Sequence, residues 1–244
     1  MTRTPAPRTG MVLAAGLGTR MRPITDTIPK ALVKLHGRTL LDHAIDRLEA
    51  AGVERVAVNA HYKADQVVAH LRDRRSPRIE ISREDALLET GGGVRQALPL
   101  LGERFYVVNS DVFWLDGKVA ALRRLAGAWD DESCDALLLL QRTPTAVGYD
   151  GIGDYFLDPL GVPRRRGERE IAPLIFAGVQ ILHRRLFAAA DGFPAKFSLN
   201  RLYNAAEAAG RLRGIVHDGE WYHIGTPEGL AAAEQRLVFS RVER

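Results

Sequence analysis

Apolar positions along this chain come in short runs whose period changes from that of a strand to that of a helix and back. Met11–Ala15 is a continuous apolar run leading into glycines, the pattern of a buried strand entering a loop. Leu40, Leu41, Ala44, Ile45, Leu48 and Ala51 recur at helical spacing, and Gly52 ends that helix. Val53–Asn59 predicts a second strand, Tyr62–Arg72 a helix and Arg78–Ser82 a third strand. A short helix over Val94–Leu101, opened by Gly91–Gly93, precedes a fourth strand at Phe105–Asn109 and a helix at Asp116–Ala128.

Strands alternating with helices in this way predict an α/β fold: a Rossmann-like, mixed, mainly parallel sheet with helices on both faces. Beyond Gln141 the periodicity weakens. Residues 142–175 are rich in Gly, Pro and Arg, so a substrate-side insertion is expected to begin there. Regular patterning returns at Gly178–Leu182, Leu199–Ala209, Leu212–Val216 and Pro227–Phe239. Residues 1–9, polar and proline-bearing, read as a flexible tail. Residues 10–240 read as one domain in two parts, 10–141 and 142–240.

Composition narrows the picture. With 244 residues, 46% of them apolar, the chain can bury one sizeable core. Its 34 basic and 30 acidic residues leave a formal charge of +4, without the long basic stripe of a nucleic-acid surface. Arg164–Arg166 reads as a solvated loop. The single cysteine, Cys134, excludes a disulfide framework and a cysteine-rich metal site, and beside the run Ala136–Leu140 it reads as a small core residue. No signal-peptide stretch opens the chain, and nothing approaches ~18 consecutive apolar residues. A soluble, cytoplasmic protein is expected, with no membrane partner.

Chemistry-bearing residues gather at the carboxyl ends of the predicted strands. Gly16–Arg22 follows the first, Asn59–His61 the second, Glu84 the third and Asp111 the fourth. Ligands of open parallel sheets bind at that edge, so these segments are expected to face one crevice. The string Leu13-Ala-Ala-Gly-Leu-Gly-Thr-Arg-Met-Arg-Pro23, with Pro29-Lys30 beyond it, carries the strongest signal. It lacks the third glycine of the dinucleotide fingerprint and the Gly-Lys-Ser/Thr of a P-loop. Gly16 and Gly18 let backbone N–H groups approach an anion. Arg20 offers a planar fork for phosphate oxygens and Lys30 a compact point charge. Together they suit a chain of phosphates.

This string, with Glu84, Glu89-Thr-Gly-Gly-Gly93, Asn109-Ser-Asp111, Gly151–Asp154 and Trp221-Tyr-His-Ile-Gly-Thr-Pro227, resembles the signature of the sugar-1-phosphate nucleotidyltransferases. The resemblance runs from about Met11 to about Leu237. Compact size and the string Leu88-Glu-Thr-Gly-Gly-Gly93 resemble most the branch that uridylylates N-acetylmuramic acid 1-phosphate in cell-wall recycling. The family implies transfer of a nucleotidyl group from a nucleoside triphosphate, here UTP by preference, to a sugar 1-phosphate, with release of pyrophosphate. It implies Mg²⁺, with Mn²⁺ as an alternative. Residues 10–141 would then bind the nucleotide and 142–240 the sugar.

The same resemblance implies roles. Leu13, Ala14 and Ala15 would contact the nucleotide, and Gly16, Gly18 and Thr19 would cradle its triphosphate through backbone N–H groups. Arg20 would hold the departing pyrophosphate, Lys30 the α-phosphate and Asp111 the metal. Asn59, Glu84, Gly91 and Gly92 fall to the nucleoside, and Asn109, Asp154 and Gly178 to the sugar. Lys196 is placed near the sugar phosphate, while Trp221 reads as core and His61 as a surface group. The nucleophile is the substrate's own phosphate, so no Ser-His-Asp or Cys-His arrangement is needed.

Two positions leave alternatives open. A carboxylate at Glu84 can accept the N3–H of uracil or the N1–H and amino group of guanine, so a guanylyltransferase for mannose- or heptose-type 1-phosphates stands beside the uridylyltransferase. His223 occupies a position where the family usually has aspartate. Imidazole is a poor ligand for Mg²⁺ compared with Mn²⁺ or Zn²⁺, so Asp111 is expected to be the sole protein carboxylate on the ion. That departure also keeps open a catalytically impaired nucleotide- or sugar-phosphate-binding protein.

Overall fold

The computed structural model describes residues 4–242, and their side chains to residue 238. The sheet grows outward from β1 (Thr9–Leu13), in which Met11 and Val12 are fully buried on opposite faces. Two short strands, β2 (Lys34–Leu35) and β3 (Arg38–Thr39), lead into α1 (Leu40–Ala50), whose N-terminus Thr39 caps by accepting the Asp42 N–H. β4 (Arg55–Ala60), α2 (Ala64–Leu71), β5 (Arg78–Arg83), α3 (Glu89–Ala97) and β6 (Arg104–Asn109) complete the alternating half. β7 (Val112–Leu115) and α4 (Ala121–Ala128) follow.

The second half holds β8 (Ala136–Arg142), β9 (Ala146–Val147), the hairpin of β10 (Tyr155–Leu157) and β11 (Pro163–Arg165), and the long β12 (Leu174–His183). α5 (Asn200–Ala208), β13 (Leu212–Val216), β14 (Glu220–His223) and α6 (Pro227–Val242) close it.

Among the described residues, a nine-stranded sheet runs β11-β10-β12-β6-β1-β4-β5, with β8 paired to β12 and β13 to β8. β1 is parallel to β4 and β6, and β4 to β5, while β12 runs antiparallel to β6 and β8. The mixed α/β sheet with a parallel centre is therefore as the pattern predicts. Apolar positions of α1, α2 and α4, among them Leu41, Ile45, Val67 and Leu125, cover one face. Val94 and Ala97 of α3, with Leu202 and Tyr203 of α5, cover the other. No helix among the described residues is long and apolar enough to cross a membrane.

A second, three-stranded sheet, β7-β14-β9, fixes the site. β14 runs antiparallel to β7 with Val112 opposite His223, and α6 packs over it through Ala233 and Leu237. Between residues 142 and 175 the chain is woven into existing sheets: β9 joins the small sheet, and the β10–β11 hairpin extends the large one.

Three boundaries move. The expected tail is ordered before residue 10, because Pro7 is buried and the Arg8 carbonyl accepts the Glu54 and Arg55 N–H groups; residues 1–3 lie outside the described residues. The helix expected from Asp116 begins at Ala121. There the Asp116 carboxylate accepts the Ala121 N–H at 2.8 Å and the Trp114 indole N–H at 3.0 Å, which holds the intervening turn open. α3 begins at Glu89, five residues before the expected helix, so Gly91–Gly93 lie inside it.

Candidate functional site

The carboxyl ends of the parallel strands open onto a cleft of about 450 Å³. Of the residues singled out in the sequence, Leu13, Ala14, Ala15, Gly16, Gly18, Thr19, Arg20, Lys30, Asn59, Glu84, Asn109 and Asp111 line it. Segments far apart in sequence thus share one cavity, as strand order demands.

The loop after β1 is held from below. Met21 is fully buried, its N–H donates to the Gly18 carbonyl at 2.9 Å, and the Thr25 hydroxyl donates to the same carbonyl at 2.8 Å. Gly18 has φ +65, and a Cβ there would lie 2.9 Å from Thr25 Cγ2 and 3.0 Å from Lys30 Cβ, so the turn requires glycine. Gly16 differs. Its φ is ordinary and a Cβ would meet nothing within 4 Å, so packing does not explain its glycine.

Lys30 opens a helical turn anchored by the fully buried Ala31. Its Nζ donates to Asp111 Oδ2 at 2.9 Å. Asp111 sits between β6 and β7, where its carbonyl accepts the Ile224 N–H at 2.8 Å. The β7–β14 pairing brings His223 Nε2 to 3.9 Å from the same carboxylate. Burial by itself would raise the Asp111 carboxyl, but the Lys30 ammonium and the His223 ring outweigh it and hold the group well below the usual carboxylate range. His223 stacks on Trp221 with 9° between the rings, and Trp221, a core residue as expected, donates its indole N–H to the Ala177 carbonyl at 2.9 Å. That carbonyl belongs to the stretch of β12 where the register to β8 shifts, and Gly178, at φ +73 in the same stretch, packs against Asn109.

Two expectations need correction. Gly91 and Gly92 do not line the cleft: both N–H groups donate to the Phe197 carbonyl, at 2.9 and 3.1 Å. A Cβ at Gly92 would stand 2.2 Å from the Ala195 carbonyl oxygen, so these glycines admit the 195–197 backbone. Glu84 does line the cleft, and each of its oxygens accepts one hydrogen bond from the protein. Oε1 accepts from Asn59 Nδ2 at 2.6 Å and Oε2 from the Leu88 N–H at 3.0 Å. Asp154 turns its carboxylate to the Phe176 N–H at 3.0 Å and braces β12 instead of lining the cleft. His61 Nδ1 lies 2.9 Å from the Glu84 carbonyl, and Lys196 faces Glu89 at 3.8 Å.

The cleft also has walls the sequence did not single out: Leu87, Thr90, Ser110 and Ser198. Ser198 arrives because the Thr90 hydroxyl accepts the Leu199 N–H at 2.9 Å. Thr90 and Ser110 stood inside quoted motifs; Ser198 carried no signal. Among the described residues no group of three or more His, Cys, Asp or Glu side chains is arranged to hold a metal ion.

Comparison with known proteins follows the same line. Residues 10–212 match the model of the MobA-like NTP transferase domain. The N-acetylmuramate alpha-1-phosphate uridylyltransferase of Caulobacter vibrioides is 48% identical over 239 residues, covering 96% of this chain and 98% of that protein. The enzyme of the same name from Neisseria meningitidis serogroup B is 34% identical over 230 residues, covering 92% and 96%. The crystal structure of HddC from Yersinia pseudotuberculosis complexed with GMP-PN superposes with a TM-score of 0.74 over 94% of this chain and 99% of its own. At 23% identity that likeness speaks for the fold.

Proposed function

The chain belongs to the MobA-like NTP transferase family and is a nucleotidyltransferase, and we propose that it joins UTP to N-acetylmuramate 1-phosphate, giving the UDP-sugar and pyrophosphate. The observation that carries this reading is the 48% identity, across nearly the whole of both chains, to an enzyme bearing that name. The cleft supports it, because the glycine loop, Lys30 and Asp111 converge there.

In this reading the backbone N–H groups of the Gly16–Thr19 loop receive the triphosphate. An oxygen of the sugar phosphate forms a new bond to the α-phosphorus as the bond to pyrophosphate breaks. The attacking oxygen is already ionised, so no protein base is needed. Lys30 stabilises charge that builds on the α-phosphoryl oxygens, and Arg20, exposed beside the loop, holds the leaving pyrophosphate. The fold contributes alignment: substrates held for in-line attack react as though at very high concentration. Asn109, with Gly178 packed on it, is assigned to the sugar in this reading.

The residues fit a divalent ion. Asp111 offers a hard carboxylate oxygen, and Mg²⁺ is commonly held by one or two carboxylates together with phosphate oxygens and water. Mn²⁺ suits the same place if His223 takes part. When bound, the ion would neutralise phosphate charge. A cytoplasmic location belongs to the same reading, since that is where nucleoside triphosphates are supplied.

Pyrophosphate release, measured for each nucleoside triphosphate against a panel of sugar 1-phosphates, tests it. UTP with N-acetylmuramate 1-phosphate is expected to give the highest kcat/KM. Absence of turnover with UTP on every amino-sugar phosphate would overturn it.

A further inference from the structure

Glu84 is a carboxylate only 5% exposed, and among the described residues no cation pairs with it. Its partners are the Asn59 amide and the Leu88 N–H. Asn59 in turn accepts the Ala14 N–H on Oδ1 at 2.7 Å. In the parallel register Leu13 pairs with Asn59, so Ala14 is the first residue past the ladder and the first of the phosphate loop. The Asn59 side chain takes over where the backbone ladder stops.

From this we propose that Asn59 and Glu84 form one positioning unit that sets the start of the phosphate loop, Glu84 acting through Asn59 rather than by reading the base. The physical reason lies in polarity. An ionised carboxylate only accepts hydrogen bonds, so the Asn59 amide must turn its NH₂ to Glu84 and its oxygen to Ala14. The buried charge fixes a choice that a neutral partner leaves open. Gly93 records how tightly the unit is fitted: a Cβ there would stand 2.7 Å from Glu84 Oε1 and 2.9 Å from Asn59 Nδ2. The inference rests on the nucleotidyl transfer proposed above, whose transition state needs the loop in place.

Three variants test it: Glu84→Gln, Asn59→Asp and the double Asn59→Asp/Glu84→Gln. Each single change sets like groups against each other. The double change reverses the polarity yet keeps every bond. The carboxylate introduced at position 59 accepts from the Ala14 N–H and from the amide introduced at position 84, whose oxygen accepts from the Leu88 N–H. Each single variant is expected to lose kcat/KM by roughly tenfold to a hundredfold, in equal proportion for every triphosphate that the wild type uses. The double variant is expected to regain most of the loss.

A shift in the ratio between triphosphates on Glu84→Gln would overturn the proposal in favour of base reading. A folded double variant no better than the singles would overturn it too. Should either single fail to fold, recovery of fold and turnover in the double supports the unit and continued misfolding overturns it. Calorimetric binding of UTP across the same set separates the two proposals. If the wild type binds UTP without turning it over, the function proposed above fails, while weakened binding restored in the double still supports the unit.

Discussion

Lys30 and Asp111, 81 positions apart in the chain, meet at 2.9 Å with side chains 13% and 27% exposed. Neither is held by the other alone. Lys30 stands on a turn pinned by Ala31, and Asp111 on a junction whose carbonyl carries the Ile224 N–H. A cation and an anion each fixed by its own backbone and meeting in one cleft form a preorganised field, the kind of arrangement that favours charge moving along a phosphate chain.

Asp111→Asn is expected to lower turnover by at least about a hundredfold. Nucleotide affinity measured by calorimetry without added divalent ion should largely persist. The sharper readout is the metal: the Mg²⁺ or Mn²⁺ concentration giving half-maximal rate should rise. An unchanged metal dependence would remove Asp111 from that role.

Lys30→Met should reduce kcat on the order of 10² to 10³-fold, with a smaller effect on the KM for nucleotide, because the ammonium serves charge that develops during reaction. A loss confined to KM would make Lys30 a binding residue only.

Gly16→Ala and Gly92→Ala are expected to diverge. A Cβ at Gly16 meets nothing within 4 Å, so stability should stay within about 0.5 kcal/mol while nucleotide binding weakens. A Cβ at Gly92 would overlap the Ala195 carbonyl, costing about 1 to 3 kcal/mol of stability and displacing Ser198 from the cleft. Chemical denaturation and nucleotide titration of both variants check this.

Stability should fall on mild acidification. His43 and His217 have pKa values below the ordinary histidine value, chiefly because burial disfavours the charged ring. Above about pH 7 both folded and unfolded states carry them neutral, so they contribute nothing there. As pH drops through about 6.5 the unfolded chain takes up protons first, which favours unfolding. Thermal melts should show Tm declining from about pH 7 towards about pH 5, and a level or rising Tm across that window contradicts the argument.

What was legible in the sequence is what chemistry concentrates locally. The loop from Gly16 to Lys30 announces itself because several groups suited to phosphate stand in one short string, and Asp111 because it follows an apolar strand. Ser198 was not legible, since the 195–199 segment reaches the cleft mainly through backbone contacts to Gly91, Gly92 and Leu88, which leave no side-chain signature. Gly91 and Gly92 were visible but their reason was not, because the backbone that needs the room comes from a distant segment. Glu84 was placed correctly at the cleft; its engagement with Asn59 depends on side-chain directions that no spacing reveals.

The pairing of Val112 with His223, and of the Asp111 carbonyl with the Ile224 N–H, has a consequence for biosynthesis. The glycine loop and Asp111 are translated well before the strand that flanks the acid. A growing chain therefore carries Asp111 without its flanking strand through much of its synthesis.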